Sequence, residues 1–374
     1  MWFLQFDTFI VIILMCIAMI VAEKFKPNIR LNLLAVMSVA FVGWVSLRIL
    51  AFYLVYISAI FFCAFLMGRA DKAKKFFFIG GMLGCISPLV FIRLWPTQMI
   101  LIIGLAFSLL RGIDALFYAY YTGEKLRART FFNFMMFIPT FTAGPIFRYR
   151  DFDRAIENLL PVTIIDLEAV FKRMIRGFFK SLVVVQVLIQ IFGHFTAQGK
   201  GFTLPISFLL IICSYFILFF NLSGYADIAI ALGRLCGFVV PENFKKPWCA
   251  ASFTQFWRSW HSTVSDWIRE HVFILLHNKK LNRWQSAGAS VVVMVIMALW
   301  HDFSVHMVLA VAFYLGSLLA IENLLGLSSP KRAWNAVRVI RCFSVNFLFG
   351  VNTLLFITDF ENVQAILRGL LRLQ

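Results

Sequence analysis

Charge is what this sequence has least of. Charged residues make up 14% of its 374 positions, and acidic ones are scarcer than basic ones, 18 against 35. A soluble globular domain carries about a quarter charged residues, so a water-facing surface along the whole chain is excluded. Metal-binding patterns are missing as well. The seven cysteines (Cys16, Cys63, Cys85, Cys213, Cys236, Cys249 and Cys342) are scattered, no CxxC occurs, and no Cys/His spacing suits a metal. They read as small core residues. No GxGxxG follows a strand-like run, and neither GxxxxGK[ST] nor HExxH is present. Dinucleotide-binding, P-loop and zinc-protease classes therefore lack their signatures.

What is abundant is apolar sequence, 61% of the chain, gathered in blocks. Phe3–Ala22, Leu31–Leu47, Ile49–Met67, Phe76–Leu94, Met99–Tyr121, Phe202–Phe220, Ser286–Trp300, Val305–Leu325 and Phe343–Ile357 each approach the roughly 20 residues that cross a hydrocarbon core. Backbone groups in lipid must be satisfied within the segment or in a closed barrel, and these blocks are too long and too uniformly apolar for barrel strands. The expectation is an all-α, polytopic integral membrane protein forming one membrane domain, with the lipid bilayer as its first partner. Met1–Ala22 has no basic n-region and reads as a retained first helix.

The excess positive charge is not a nucleic-acid signal. Lysine and arginine sit in alternate short links, "EKFKPNIR", "RADKAKK" and "GEKLRART", while the links between them carry little charge. That alternation predicts cytoplasmic placement of Glu23–Arg30, Arg69–Lys75 and Gly123–Thr130, with the N-terminus outside.

Two regions break the simple count of spans. Residues 131–155, "FFNFMMFIPTFTAGPIFRYRDFDRA", hold Pro139, Gly144 and Pro145, which predict a short or re-entrant segment backed by protein. Pro241–Trp284 is too charged to span yet carries Trp248, Trp257, Trp260, Trp267 and Trp284. Phe253, Trp257, Trp260, Val264 and Trp267 follow helical spacing, as in an amphipathic helix lying at the membrane interface.

Ionisable groups inside apolar runs are functional candidates by default. Arg111 and Asp114 lie three apart and read as a structural ion pair. "FFNLSGYADIAIALG" offers Asn221, Tyr225 and Asp227, which either hydrogen-bond across helices or line a polar cavity. His301 ends a long uncharged run. A histidine exchanges protons near neutral pH and suits a hydroxyl nucleophile, although a histidine satisfied by a neighbouring helix gives the same pattern. His261, between Trp260 and Ser262, is the second candidate. A transporter that uses His301, Asp302 and Asp227 as a proton relay is the rival reading, but no second half repeats the first.

Four stretches, in order, resemble the signatures of membrane-bound O-acyltransferases: "FMMFIPTFTAGPIFRYRDF", "FNLSGYADIAIALGRLCGFVVPENFKKPW", "FWRSWHSTVSDWIREHVF" and "ALWHD". The bacterial branch is the nearest, with its O-acetyltransferases of alginate and peptidoglycan and its D-alanyl transfer proteins of teichoic acid. The resemblance implies a ring of about 9–11 transmembrane helices around a central tunnel, with re-entrant and interfacial helices and a catalytic core over residues 131–325. It implies catalytic roles for His301 and His261. Trp300, Asp302, Trp257, Arg258, Trp260, Asn221, Tyr225 and Asp227 would line the substrate path, and Arg148 and Arg150 would lie on the donor side. It further implies no bound cofactor or metal and an acyl thioester co-substrate, acetyl-CoA or an acyl carrier protein, at the cytoplasmic face. The acceptor would be an extracytoplasmic polymer, reached directly or through a periplasmic or extracellular partner, from the bacterial inner membrane. Where the family has glycine after the WH pair, this chain has Asp302, and "FILLHNKK" stands in place of a proline- and glycine-containing stretch.

Overall fold

The computed structural model describes residues 6–25, 29–95, 104–197, 201–273, 281–301, 303–330 and 335–371. Among them every regular element is helical, and the described part of each apolar block expected to span is a helix. Among the described residues, seven helices are long and apolar enough to cross a bilayer: α3 (Leu47–Met67), α4 (the helical part of Asp71–Leu94), α8 (Ile164–Ala197), α9 (Leu204–Leu235), α12 (Arg283–His301), α13 (Val305–Leu324) and α14 (Ala336–Ile357). α1 (Phe6–Phe25), α2 (Arg30–Val45) and α5 (Leu105–Thr122) fall on three further apolar blocks. α8 was not anticipated. Asp166, Glu168, Lys172, Arg173, Arg176 and Lys180 charge its first half and hide the apolar second half, which a π-helical turn at Phe179–Val184 joins to it.

The chain forms two compact units, Met1–Arg176 with Ala226–Pro241, and Gly177–Tyr225 with Glu242–Gln374. In the first, α3 packs on α2, α4 and α5. The segment expected to be re-entrant is short and broken: α6 (Ala128–Met135), a 3-10 turn at Ile138–Thr140, bends, then α7 (Tyr149–Glu157). Arg111 explains how a broken backbone survives there. Its buried guanidinium donates to the carbonyls of Phe134 and Met135 at 3.1 Å each and to Phe137 and Thr140, which satisfies acceptors that helix continuation would otherwise take. Asp114 accepts from the backbone N–H of Tyr149 at 2.6 Å and from Arg148 at 3.0 Å, so it anchors the start of α7. Phe134, Phe137, Phe147, Phe152 and Phe238 close over this segment as one aromatic cluster, edge-to-face except for the stacked Phe152–Phe238 pair.

Two glycines set close approaches. Gly237, at φ +87°, leaves room for Arg30, and a Cβ there would collide with the guanidinium. Arg30 is buried, pairs with Glu23, and donates to the carbonyls of Leu160 and Cys236. Gly224, in the "NLSGYAD" stretch, brings α9 against Gly177 and Ser181 of α8, where a Cβ would collide with the Ser181 hydroxyl. Small residues at helix crossings are how membrane helices pack.

In the second unit, α9, α14 and α15 (Phe360–Leu371) share an apolar core around Leu210, Ile211, Ile217, Leu354 and Ile366. α12 and α13 pack along each other, and Gly316 lets α13 approach Met294 and Val291 of α12. Five of the cysteines are buried, the other two are partly buried, and all seven are free.

Candidate active site

The tryptophan-rich segment is not one helix. It breaks into α10 (Phe253–Ser259) and α11 (Ser262–Ile268), with Trp260 ending the first and His261 heading the second. The physical reason is a strap. The backbone N–H of Lys245 donates to Ser259, and that of Ser262 to Asn243, at 2.8 Å each. The Ser262 hydroxyl reaches the Glu242 carbonyl and the Thr263 hydroxyl reaches the Asn243 side chain. Between these ties, His261 takes φ 46°, ψ 46°, a left-handed conformation that costs a non-glycine residue roughly 1–2 kcal/mol.

Trp260 fixes the other side of the break. It is 3% exposed and its ring lies among Phe349 (4.8 Å between centroids), Phe244 (5.3 Å), Phe256 (5.4 Å), Tyr215 (5.6 Å) and Phe219 (5.9 Å). The break also corrects the expected apolar face. Phe256 is buried in Trp257's stead, and Trp257 lines a cavity. Trp248 and Trp284 are exposed.

His301 is the last residue of α12 and is exposed, with its ring 4.8 Å from Trp300 and 6.2 Å from Phe356. It is therefore not sealed in the interior. The two histidines come together: the charge on His301 is felt at His261. Burial, chiefly, and that charge push the His261 imidazolium down to about 3, so the ring is neutral at physiological pH. Its Nδ1 is buried and has no hydrogen-bond partner among the described residues.

A cavity of about 320 Å³ opens between α12, which ends in His301, and Trp257 and Arg258 of α10; neither histidine is among its lining residues. α12 contributes Ser286, Ser290, Val293, Met294 and Met297 to its wall. At 100° per residue these five and His301 fall within an arc of about 100° on one face of the helix. Trp257, Arg258 and Ser265 form the facing wall, and Asn323 completes it, its amide donating to the Ser290 hydroxyl at 3.0 Å. The Trp257 indole nitrogen is also buried without a partner among the described residues.

The remaining expected site residues lie as follows. Arg258 is exposed, and Arg150 is exposed beside Asp151. Arg148 is turned onto Asp114 in a part-buried ion pair, and Asp227 pairs with Arg173 at 3.0 Å. Tyr225 is buried and Asn221 half-buried. Asp302, and "ILLHNKK" of the stretch that follows the tryptophan segment, lie outside the described residues.

Glu322 was missed by the sequence reading. Its buried carboxylate accepts from the backbone N–H groups of Phe253 (2.5 Å) and Thr254 (3.0 Å) and from the Thr254 hydroxyl (2.7 Å). It caps α10 at its positive end and so positions the helix that Trp260 ends, just before His261. An acid inside "GSLLAIENLL" was a signal available to the intramembrane-charge rule.

Residues 119–353, more than half of the chain, match the family model of MBOAT, the membrane-bound O-acyltransferase family. The chain belongs to this family. The match covers the break at His261, the whole of α12 and the described cavity wall of this MBOAT protein. The probable alginate O-acetylase of Pseudomonas fluorescens is 30% identical over 246 residues, 65% of this chain and 49% of that protein. The teichoic acid D-alanyltransferase of Streptococcus thermophilus is 28% identical over 281 residues, 68% of this chain and 66% of that one. The peptidoglycan O-acetyltransferase of Helicobacter pylori is 28% identical over 179 residues, 45% of this chain and 32% of that one. The chain spans about half the length of the alginate O-acetylases it matches.

The lowered His261 imidazolium has a consequence for stability. Below its ordinary value of 6.5 the unfolded chain takes up a proton that the folded protein refuses until about 3. Folding is therefore favoured less as pH falls through that window, and above 6.5 this group contributes nothing to the pH dependence. Melting of the detergent-solubilised protein should fall on acidification from 6.5 toward 3, and His261→Gln should remove part of the slope. An unchanged slope in the variant would refute a neutral, desolvated ring.

Proposed function

We propose that the protein transfers an acyl group, acetyl in first place and D-alanyl in second, from a cytoplasmic thioester donor to a hydroxyl of an extracytoplasmic envelope polymer. The observation that carries this is a pair of unlike imidazoles: His301 exposed at the end of α12, and His261 desolvated at the head of α11, its buried Nδ1 without a partner among the described residues. A general base works best with a pKa near the operating pH. A ring held near 3 is too weak a base but a sound neutral donor, so the roles divide between the two.

In this mechanism His301 removes the proton from the acceptor hydroxyl as its oxygen attacks the thioester carbonyl carbon. His261 donates a hydrogen bond to the developing oxyanion, a contribution of about 3 kcal/mol for one well-placed donor. The tetrahedral intermediate collapses, the C–S bond breaks, and the thiolate takes the proton from His301 and leaves as free thiol. No metal or bound cofactor enters. The donor is acetyl-CoA or a loaded carrier protein, and a basic cytoplasmic face suits either, both being acidic. The acceptor is reached directly or through a periplasmic partner acyltransferase, and the protein resides in a bacterial inner membrane. Relatives named for acetyl and for D-alanyl transfer both match, which supports a short acyl group.

Reconstituted in vesicles with labelled acetyl thioester inside and a polyhydroxylated polymer outside, the protein should move label to the polymer. Hydrolysis or transfer in neither direction, with acetyl and D-alanyl donors alike, would defeat the reading. Orientation is tested separately. A cysteine replacing Lys74 should react only with reagents that reach the cytoplasm, and labelling of it from outside sealed cells would invert the topology.

A further inference from the structure

We infer that Met297 limits the length of the acyl group this protein transfers. The inference rests on the acyl-transfer reading and goes beyond it to substrate selection.

The cavity wall has a polarity gradient along α12. At one end are the hydroxyls of Ser286 and Ser290 with Asn323; toward His301 come Val293, Met294 and Met297, with Leu319 opposite. The hydrogen bond from the Asn323 amide to Ser290 fixes the register of α13 on α12, so Leu319, one turn before Asn323, faces the apolar end. A thioester donor has the same polarity order: an amide-bearing arm, then the sulfur, then the acyl group. Inserted with its arm against the serines, it sends its acyl end toward the methionines and His301.

Met297 is the last residue lining the cavity before His301, one turn short of it, an axial distance of about 6 Å. Met294 and Met297 are buried, at 4% and 5% exposure, so their thioethers already fill the space a longer chain would need. Methionine is unbranched and adaptable, which lets an acetyl group pass while each added methylene meets side chain. Hydrophobic pockets discriminate about 10–200-fold per methylene.

The experiment is a competition among acetyl, butyryl and hexanoyl thioesters, run in one series on coenzyme A and in a second on a phosphopantetheine-bearing carrier protein. Met297→Ala should raise the hexanoyl-to-acetyl ratio of kcat/KM at least about tenfold. Met297→Leu, which conserves volume, should hold it within about twofold. If Met297→Ala does not accumulate in membranes, Met297→Val, a smaller truncation, should move the ratio in the same direction. An unchanged ratio in a folded, active truncation variant overturns the inference and leaves acyl transfer standing. Failure of the unaltered protein to transfer any acyl group overturns both.

Discussion

Replacing His301 by alanine is expected to leave the protein folded and membrane-inserted while lowering acyl transfer by about 10²–10⁴-fold, the usual worth of a positioned general base. Stability should hardly change, because the ring is exposed and ends its helix. Its ring lies 4.8 Å from that of Trp300 and 6.2 Å from that of Phe356. No core cavity opens on truncation, so the large-to-small penalty of a buried site does not arise. The check is a labelled-acetyl transfer rate measured beside a melting curve in the same detergent. Normal transfer in His301→Ala removes this residue from the chemistry. A collapse in melting temperature together with activity would give it a structural role instead.

The helical membrane class was legible because lipid leaves the backbone so few options, and blocks such as Leu204–Leu235 and Ala336–Ile357 display that constraint in composition alone. α8 was not legible, since the charges of its first half diluted the apolar signal of the second. The break at Trp260–His261 was hidden for a different reason. Phe253, Trp257, Trp260, Val264 and Trp267 keep helical spacing across it, and the strap that forces His261 out of the helix comes from Asn243 and Lys245, a long-range tie that no local pattern encodes. Both histidines were found as residues, but their nearness was not, because 40 positions separate them in sequence. The α12 stripe from Ser286 to His301 follows simple helical periodicity and was present in the sequence. It passed unnoticed because serine and methionine are unremarkable until a cavity gathers them.

Substituting glycine for His261 should separate catalysis from structure more sharply than alanine can. The native backbone at φ 46° strains any β-carbon, and glycine relieves roughly 1–2 kcal/mol of that strain. Glycine also loosens the unfolded chain by roughly 0.5–1 kcal/mol, so the two effects largely cancel and melting should stay close to that of the unaltered protein. Activity should nevertheless fall about 10²–10³-fold, the cost of removing one oxyanion donor. His261→Ala keeps the strain of the native backbone and loses the donor, so it should be as inactive while melting no higher than the glycine variant. His261→Asn tolerates the left-handed backbone and supplies an amide N–H, so it should recover part of the rate that glycine loses. Such a rescue by a donor, with stability tracking backbone strain and rate tracking the hydrogen bond, is what a merely structural histidine would not produce. Wild-type transfer by His261→Gly would leave His301 to act without it.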